Sequence, residues 1–205
     1  MNLNTKAIFT TDEFIKSKLV EKLGFKREVS TNFELFIGKR EIEEVIENII
    51  LIFSSNPNMQ ESVNYVKENY LIEKFLLVGN SFIVRNQDLE VGDIMIPNSF
   101  LDSTGEKALF IDYAVGENYD LNKFGLILNG VSMESNIDLN IENIQEIREN
   151  YVCDIIDNDS YKFLSFLNVE EMEKSVVIRV CIEIGTERNN NMFIDNLSNI
   201  IEIMI

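Results

Sequence analysis

The sequence contains no histidine. That removes every Ser–His and Cys–His nucleophile pair, and with them the usual zinc sites, which draw on imidazole. Only two cysteines occur, Cys153 and Cys181, each inside an apolar strand-like run and at no metal-type spacing. They read as small core residues. No apolar run reaches the length of a membrane-spanning helix. The opening "MNLNTKAIFT" lacks a basic stretch followed by a long apolar one, so no signal peptide is expected and the predicted compartment is the cytoplasm. Basic residues are scarce: 18 Lys and Arg stand against 35 Asp and Glu, a net charge of −17. Such a surface repels nucleic acid phosphates and anionic membranes, so neither is expected as a partner. There is no internal repeat, linker or low-complexity tract, and 1–205 reads as one domain. Any chemistry must run on carboxylates, hydroxyls, Arg, Lys and backbone groups, and no metal or cofactor is implied.

What is present is an alternation of buried strands and helices. "TKAIF" (5–9) predicts a short buried strand, and "TTDE" (10–13) opens a helix with Thr10 and Glu13 at capping-box spacing. Phe14, Ile15, Leu19 and Leu23 form its stripe, and Gly24 ends it. "FELFI" (33–37) alternates as a strand, "EIEEVIEN" (41–48) fits strand or helix, and "IILIF" (49–53) is a fully buried strand. Asn56-Pro57 starts a helix with Met59, Val63 and Val66 inward. "KFLLV" (74–78) is a strand ending in a turn at Gly79. Further strands are predicted at 93–97, 108–115, 124–128, 151–156 and 176–184, and helices at 141–149, 160–167 and 192–205. The pattern implies an α/β fold of three layers, with a mixed central sheet because 93–128 leaves no room for crossover helices. In such sheets ligands sit at the carboxyl ends of strands. Gly79, Asp157 and Glu183 all fall there.

Four strand ends carry a likeness. "EVGDIMIP" (90–97), "FGLILNG" (124–130), "IIDNDSYKF" (155–163) and "VVIRVCIEIGTE" (176–187) occur in order at plausible spacing. The set resembles the nucleoside phosphorylase and nucleosidase superfamily, which includes 5′-methylthioadenosine/S-adenosylhomocysteine nucleosidase. The resemblance implies that family's three-layer fold, a homodimer, and hydrolysis of the N-glycosidic bond of a purine nucleoside. It assigns Glu183 as the acid near the purine, one methylene longer than the family's Asp. A carboxylic acid in that role needs burial to hold its proton near neutrality. Asn158 and Asp159 take the place of the ribose-binding pair, with Asp157 before them. Met133 takes the place of the aromatic that covers the base, and Glu13 that of the water-positioning acid. Gly79 and Ser81 fall in the strand end "GNSFI" (79–83), where the family has "GSAGG"; "SSNPN" (54–58) stands in place of "SGIGK". Lost glycines bring side chains where backbone would approach the ribose or a phosphate. No Arg is placed for phosphate, which favours hydrolysis over phosphorolysis.

The plainer readings run alongside. "DNDS" is good helix N-cap chemistry, Glu13 fits a capping box, Met133 fits a core, and Glu183 fits a strand surfacing into water. Arg179, mid-strand, needs a partner if buried. A non-catalytic relative that binds a nucleoside, or only assembles, is the alternative to a hydrolase.

Overall fold

The computed structural model describes residues 5–28, 32–42, 45–85, 89–112, 126–135, 141–183 and 196–201. At its centre four parallel strands run β4 (Val45–Phe53), β1 (Thr5–Thr10), β5 (Ile72–Ile83) and β12 (Ser175–Ile182). Two antiparallel strands extend one side, β3 (Glu34–Ile42) on β4 and β2 (Lys26–Glu28) on β3. The described parts of the ambiguous stretch 41–48 are thus extended: they end β3 and open β4, which pair antiparallel.

Period-two alternation divides the core into two layers. Ile8, Leu51, Leu76, Val78, Ile178 and Val180 face one way, against α1 (Glu13–Leu23) and the helical segment 196–201. Ala7, Phe9, Ile50, Ile52, Phe75, Leu77 and Val177 face the other, against α2 (Met59–Asn69) and α4 (Ser160–Ser165). Phe9 stacks on Phe75 and tilts against Phe163 in this second layer. Met59, Val63 and Val66 of α2 and Leu197, Ile200 and Ile201 of 196–201 are spent on these cores. The remainder of the predicted 192–205 helix lies outside the described residues.

β5 is where the sheet changes partners. β1 stops at Thr10, with Phe9 opposite Leu77, while β5 continues to Ile83. Along the edge that β1 vacates, Phe82 and Ile83 pair antiparallel with β11 (Ile155–Asp157). From β11 the sheet runs on through β10 (Val131–Glu134), β7 (Ser99–Leu101) and β8 (Ala108–Phe110). On the other side β12 pairs with β6 (Ile94–Ile96), and β6 with β9 (Leu126–Leu128). The predicted strand 108–115 is described only as far as Asp112, and 124–128 only from Leu126.

Three local expectations change. The cap of α1 is Asp12, whose carboxylate accepts from the N–H groups of Phe14 and Ile15, so Thr10 and Glu13 form no capping box. Asn56-Pro57 opens a 3₁₀ turn (Asn56–Asn58) that leads into α2. Gly79 makes no turn, because β5 runs straight through it. A short helix that was not foreseen, α5 (Val169–Glu173), carries a true capping box between Asn168 and Glu171. α3 (Ile141–Asn150) lies where expected.

Candidate functional site

The parallel strands all end on one edge, and a cleft of about 380 Å³ opens there. Thr11, Asp12 and Glu13 enter it after β1, and Ser55 and Asn56 after β4. Asn80 and Phe82 come from β5, Asp157, Asn158 and Asp159 from the end of β11, and Ile182 from the end of β12. The cleft therefore sits where β1 gives way to β11, a point at which strand order changes and backbone is free to meet a ligand.

Its floor is a buried charge network. Arg179 is 1% exposed and stands directly opposite Gly79 in the β5–β12 register. Its Nη2 donates to Asp159 Oδ1 and, at 2.6 Å, to Ser160 Oγ, while Nε donates to the same hydroxyl at 2.8 Å. Asp157 Oδ2 lies 3.4 Å from Nε. The guanidinium crosses the face of Gly79 so closely that an added Cβ would lie 2.1 Å from Nη1. Glycine is required here to make room for Arg179, not to turn the chain.

Asp157 and Asp159 are both buried, yet their environments part them. Asp157 Oδ2 accepts from the hydroxyls of Ser132 and Ser160 at 2.5 Å each, and Oδ1 from the N–H groups of Asp159 and Ser160 at 2.9 and 2.7 Å. Burial pushes its carboxyl up, but Arg179 and these donors outweigh burial and hold it below the ordinary carboxylate range. Asp159 has fewer donors: Arg179, and Thr11 Oγ1 at 2.6 Å to Oδ2. Burial dominates, the Asp157 charge adds to it, and the Asp159 carboxyl is raised. Arg179 and four donors thus lower one carboxyl, while burial beside that charge raises the other. Glu134, at the end of β10 opposite Asp157, is raised in the same way by burial, against the pull of Lys162.

A second group closes the cleft's opposite wall. Asn80 Nδ2 donates to Asp12 Oδ2 at 2.5 Å, which ties the middle of β5 to the start of α1. Asn56 Nδ2 donates to the Asn158 carbonyl at 3.3 Å.

The site residues expected from sequence fall into two groups. Asp157, Asn158, Asp159 and Glu13 meet at the cleft. Glu13 is exposed there and pairs with Lys16, one turn along α1. Glu183 is the first residue after β12, next to Ile182 of the lining, and it is exposed rather than enclosed. The other three sit elsewhere. Met133 is buried among Val84, Ile144, Cys153 and Ile156, so its side chain packs the core instead of covering a base. Ser81 is fully buried, its hydroxyl donating at 3.4 Å to the Val180 carbonyl, while its neighbours Asn80 and Phe82 reach the cleft. Gly79 meets Arg179 rather than open space. The thiols of Cys153 and Cys181 are buried and unpaired, each pushed up to about 12 by burial, which leaves them inert as nucleophiles. Among the described residues, no three His, Cys, Asp or Glu side chains are grouped to hold a metal.

Thr11, Asp12, Asn80 and the hydroxyls of Ser132 and Ser160 had no assigned role in the sequence reading. Asp12 carried the only available signal, an N-cap residue just ahead of the apolar stripe of α1.

No family model matches this sequence, and no curated protein does either. Solved structures match along nearly the whole chain. One is 5′-methylthioadenosine/S-adenosylhomocysteine nucleosidase from Neisseria meningitidis in complex with methylthio-immucillin-A, 14% identical over 98% of both chains, with a TM-score of 0.75. Another is native futalosine hydrolase of Helicobacter pylori strain 26695, 13% identical over 98% of this chain and 97% of that one, TM-score 0.73. A third is the 5′-methylthioadenosine/S-adenosylhomocysteine nucleosidase of Campylobacter jejuni, 14% identical over 98% of this chain and 96% of that one, TM-score 0.71. The fold is the nucleoside phosphorylase/nucleosidase-like α/β fold that the four strand ends implied.

Proposed function

We propose that this chain, with its nucleosidase-like fold, is a divergent N-ribosyl hydrolase that cleaves the N-glycosidic bond of a purine nucleoside such as 5′-methylthioadenosine or S-adenosylhomocysteine. The observation that carries the reading is the carboxylate-lined cleft at the strand ends, with Asp157 and Asp159 fixed on its floor by Arg179.

The chemistry follows from the bond. As the C1′–N bond breaks, its electron pair leaves with the base and positive charge grows on the sugar. Carboxylates facing the sugar stabilise that charge, and an acid facing the base protonates the leaving nitrogen. Asp159 is the group for the sugar hydroxyls, held in orientation by Arg179 and Thr11. Glu183 is the acid: it follows Ile182 of the lining at the end of β12, and a bound base would cover its exposed side chain. Glu13 takes the proton of the water that adds to C1′. The products are free base and free sugar. Gly79 serves by making room for Arg179 and Ser81 by holding β5 to β12, with no direct contact to the substrate. Asp157 and Asn158 shape the floor.

The same reading takes the enzyme as cytoplasmic and homodimeric. Among the described residues, no helix is long and apolar enough to cross a membrane. A dimer would use the groove of about 520 Å³ between Phe33 and the outer face of α2, where Tyr65 is exposed and meets Phe33 edge-on.

A second reading has its own observation. Asp159 is already engaged by Arg179 and Thr11, and Met133 and Ser81 are committed to the core, which suits a relative that binds a nucleoside without cleaving it. Reversed-phase separation of the purified protein's reactions with methylthioadenosine, adenosylhomocysteine, adenosine and inosine decides. Release of free base from any of them is expected; binding without release leaves the second reading, and neither binding nor release removes both.

A further inference from the structure

α1 buries a lysine. Its inward positions are Ile15, Lys16 and Leu19, and Lys16 is only 8% exposed. Lysine is almost never buried unless its charge is paired. Three groups hold this one. Glu13 Oε1 is the nearest, one turn back along α1, and Glu34 Oε1 lies 3.6 Å away at the start of β3. The ammonium also stands over the ring of Phe53, 4.4 Å from its centroid, and Phe53 is the residue opposite Glu34 in the β3–β4 register. Lys16 is therefore pinned where the end of β4 meets α1. From that point the chain runs on into Ser55 and Asn56 of the cleft.

The two carboxylates on Lys16 are not equivalent. Glu34 has a second cation, Arg27, whose Nη2 lies 3.6 Å from Glu34 Oε2. Arg27, Glu34, Lys16 and Glu13 form a series of alternating charge that starts on β2 and ends on Glu13 in the cleft lining. Arg27 offsets part of the pull of Glu34, which leaves more of the ammonium's field to Glu13. Burial along the series is uneven: the Lys16 side chain is 10% exposed and that of Glu13 is 64% exposed. An exposed glutamate on its own spreads over several rotamers. An ion pair on a solvated helix face would not prevent that, since both of its ends move. Here one end is fixed. With one oxygen on a buried ammonium, the carboxylate keeps its place in the lining, and its second oxygen can accept from a water. Lys16 itself is not among the described lining residues, so it reaches the cleft only through Glu13.

We propose that Lys16 is a positioning residue for hydrolysis, aiming the Glu13 carboxylate into the cleft at the water that adds to C1′. The inference rests on the hydrolase reading and adds the part that fixes its base. As the water oxygen bonds to C1′, a water proton passes to Glu13, and Lys16 keeps its own protons throughout.

The test is steady-state base release from methylthioadenosine, adenosylhomocysteine, adenosine and inosine by wild type, Lys16→Met, Glu13→Gln and the double variant. The nucleoside that wild type cleaves fastest is carried through the series. A displacement near 1 Å of a reacting group can cost on the order of 10²-fold, so partial loss of aim in Lys16→Met should lower kcat roughly tenfold. KM should stay within about twofold, because Glu13 acts on the water and not on the nucleoside. A lysine that only stabilised the fold would leave the kcat of folded enzyme unchanged. In the Glu13→Gln background, Lys16→Met should change kcat by less than about twofold, since no base remains to aim. Thermal melting of each variant identifies misfolding. If Lys16→Met is unfolded at the assay temperature, Lys16→Gln, which keeps a donor for Glu34 without the charge, is read in its place. The proposal alone is overturned if wild type releases base and the folded Lys16 variant keeps the wild-type kcat. It is equally overturned if the loss lies in KM alone, or if the same loss in kcat persists in the Glu13→Gln background. No base release by wild type from any of the four nucleosides removes the hydrolase reading and this proposal with it.

Discussion

Replacing Gly79 by alanine tests the core of the site directly. The new Cβ would lie 2.1 Å from Arg179 Nη1 and 3.4 Å from its Cζ. A flexible side chain would swing aside at little cost, but this one is buried and held by Asp159 and Ser160. Either the backbone of β5 moves or the guanidinium leaves its partners. Overpacking alone costs about 1–3 kcal/mol, and separating a buried ion pair about 3–5 kcal/mol, so a loss of about 3 kcal/mol is expected. Without the clash the sign reverses, since alanine in a strand interior is better than glycine by about 0.5–1 kcal/mol. Arg179→Met ends near where Nε lies and removes the clashing atoms. A double-mutant cycle of Gly79→Ala and Arg179→Met, read by urea unfolding, should therefore show a coupling of about 2 kcal/mol or more. The cost of the carboxylates that Arg179→Met leaves uncompensated is shared by that variant and the double mutant and cancels in the cycle. If the two substitutions add within about 0.5 kcal/mol, Arg179 does not lie over Gly79 and this account of the floor fails.

The pH dependence of stability should show both buried carboxylates, with opposite signs. Asp157 is held below its unfolded value of about 3.9, so its contribution is full above that pH and is lost on acidification; Asp157→Asn should flatten the acid limb of urea midpoints between about pH 3 and 8. Asp159 is raised, so its contribution is full below the unfolded value and is lost as pH rises through its folded pKa. Asp159→Asn should therefore remove a decline toward neutrality, and a steeper decline would contradict the assignment. Asp12→Ala should cost about 1 kcal/mol as a lost helix cap, read as a lower urea midpoint; an unchanged midpoint would remove Asp12 as the cap. Glu183→Gln should lower base release by about 10²–10⁴-fold with binding retained, and an unchanged rate in the chromatographic assay would remove Glu183 as the acid. Light scattering at tens of micromolar should give a dimer that Tyr65→Lys dissociates, with an interface above about 1,000 Å²; a monomeric wild type refutes the pairing.

The framework was legible because it depends on patterns that survive substitution. Buried runs such as 49–53 and 74–78 are apolar on both faces, and only a sheet covered on both sides accepts such strands. Their carboxyl ends then had to share an edge, and "DNDS" and "TTDE" had to lie beside it. What stayed hidden depends on pairing across long separations. That β5 runs on past Gly79 follows from β11 being there to pair with Phe82 and Ile83, more than seventy residues along the chain. Gly79 and Arg179 are a hundred positions apart, yet each explains the other only when they are seen opposite in register. Sequence offered a glycine at an apparent strand end and an arginine inside an apolar run, two anomalies with separate local explanations.

Alternation accounts for the misplaced binding residues as well. Within "GNSFI" the cleft-facing residues are Asn80 and Phe82, and Ser81 between them is turned into the core. Choosing Gly79 and Ser81 took the wrong parity of one strand, and a slip of one residue changes every side chain's face. The same slip hid the chemistry that distinguishes this cleft. The asparagine that stands there spends its amino group on Asp12 and so ties β5 to the cap of α1. Asp12, Glu13, Asp157 and Asp159 line the cleft with carboxylates, and no Lys or Arg is among its described lining residues. On that electrostatic ground water, a neutral nucleophile, is a better partner for the sugar than phosphate. The pairing of Arg179 with Asp159 has the same effect from below, since it withdraws that cation from any incoming anion, as Glu13 does for Lys16.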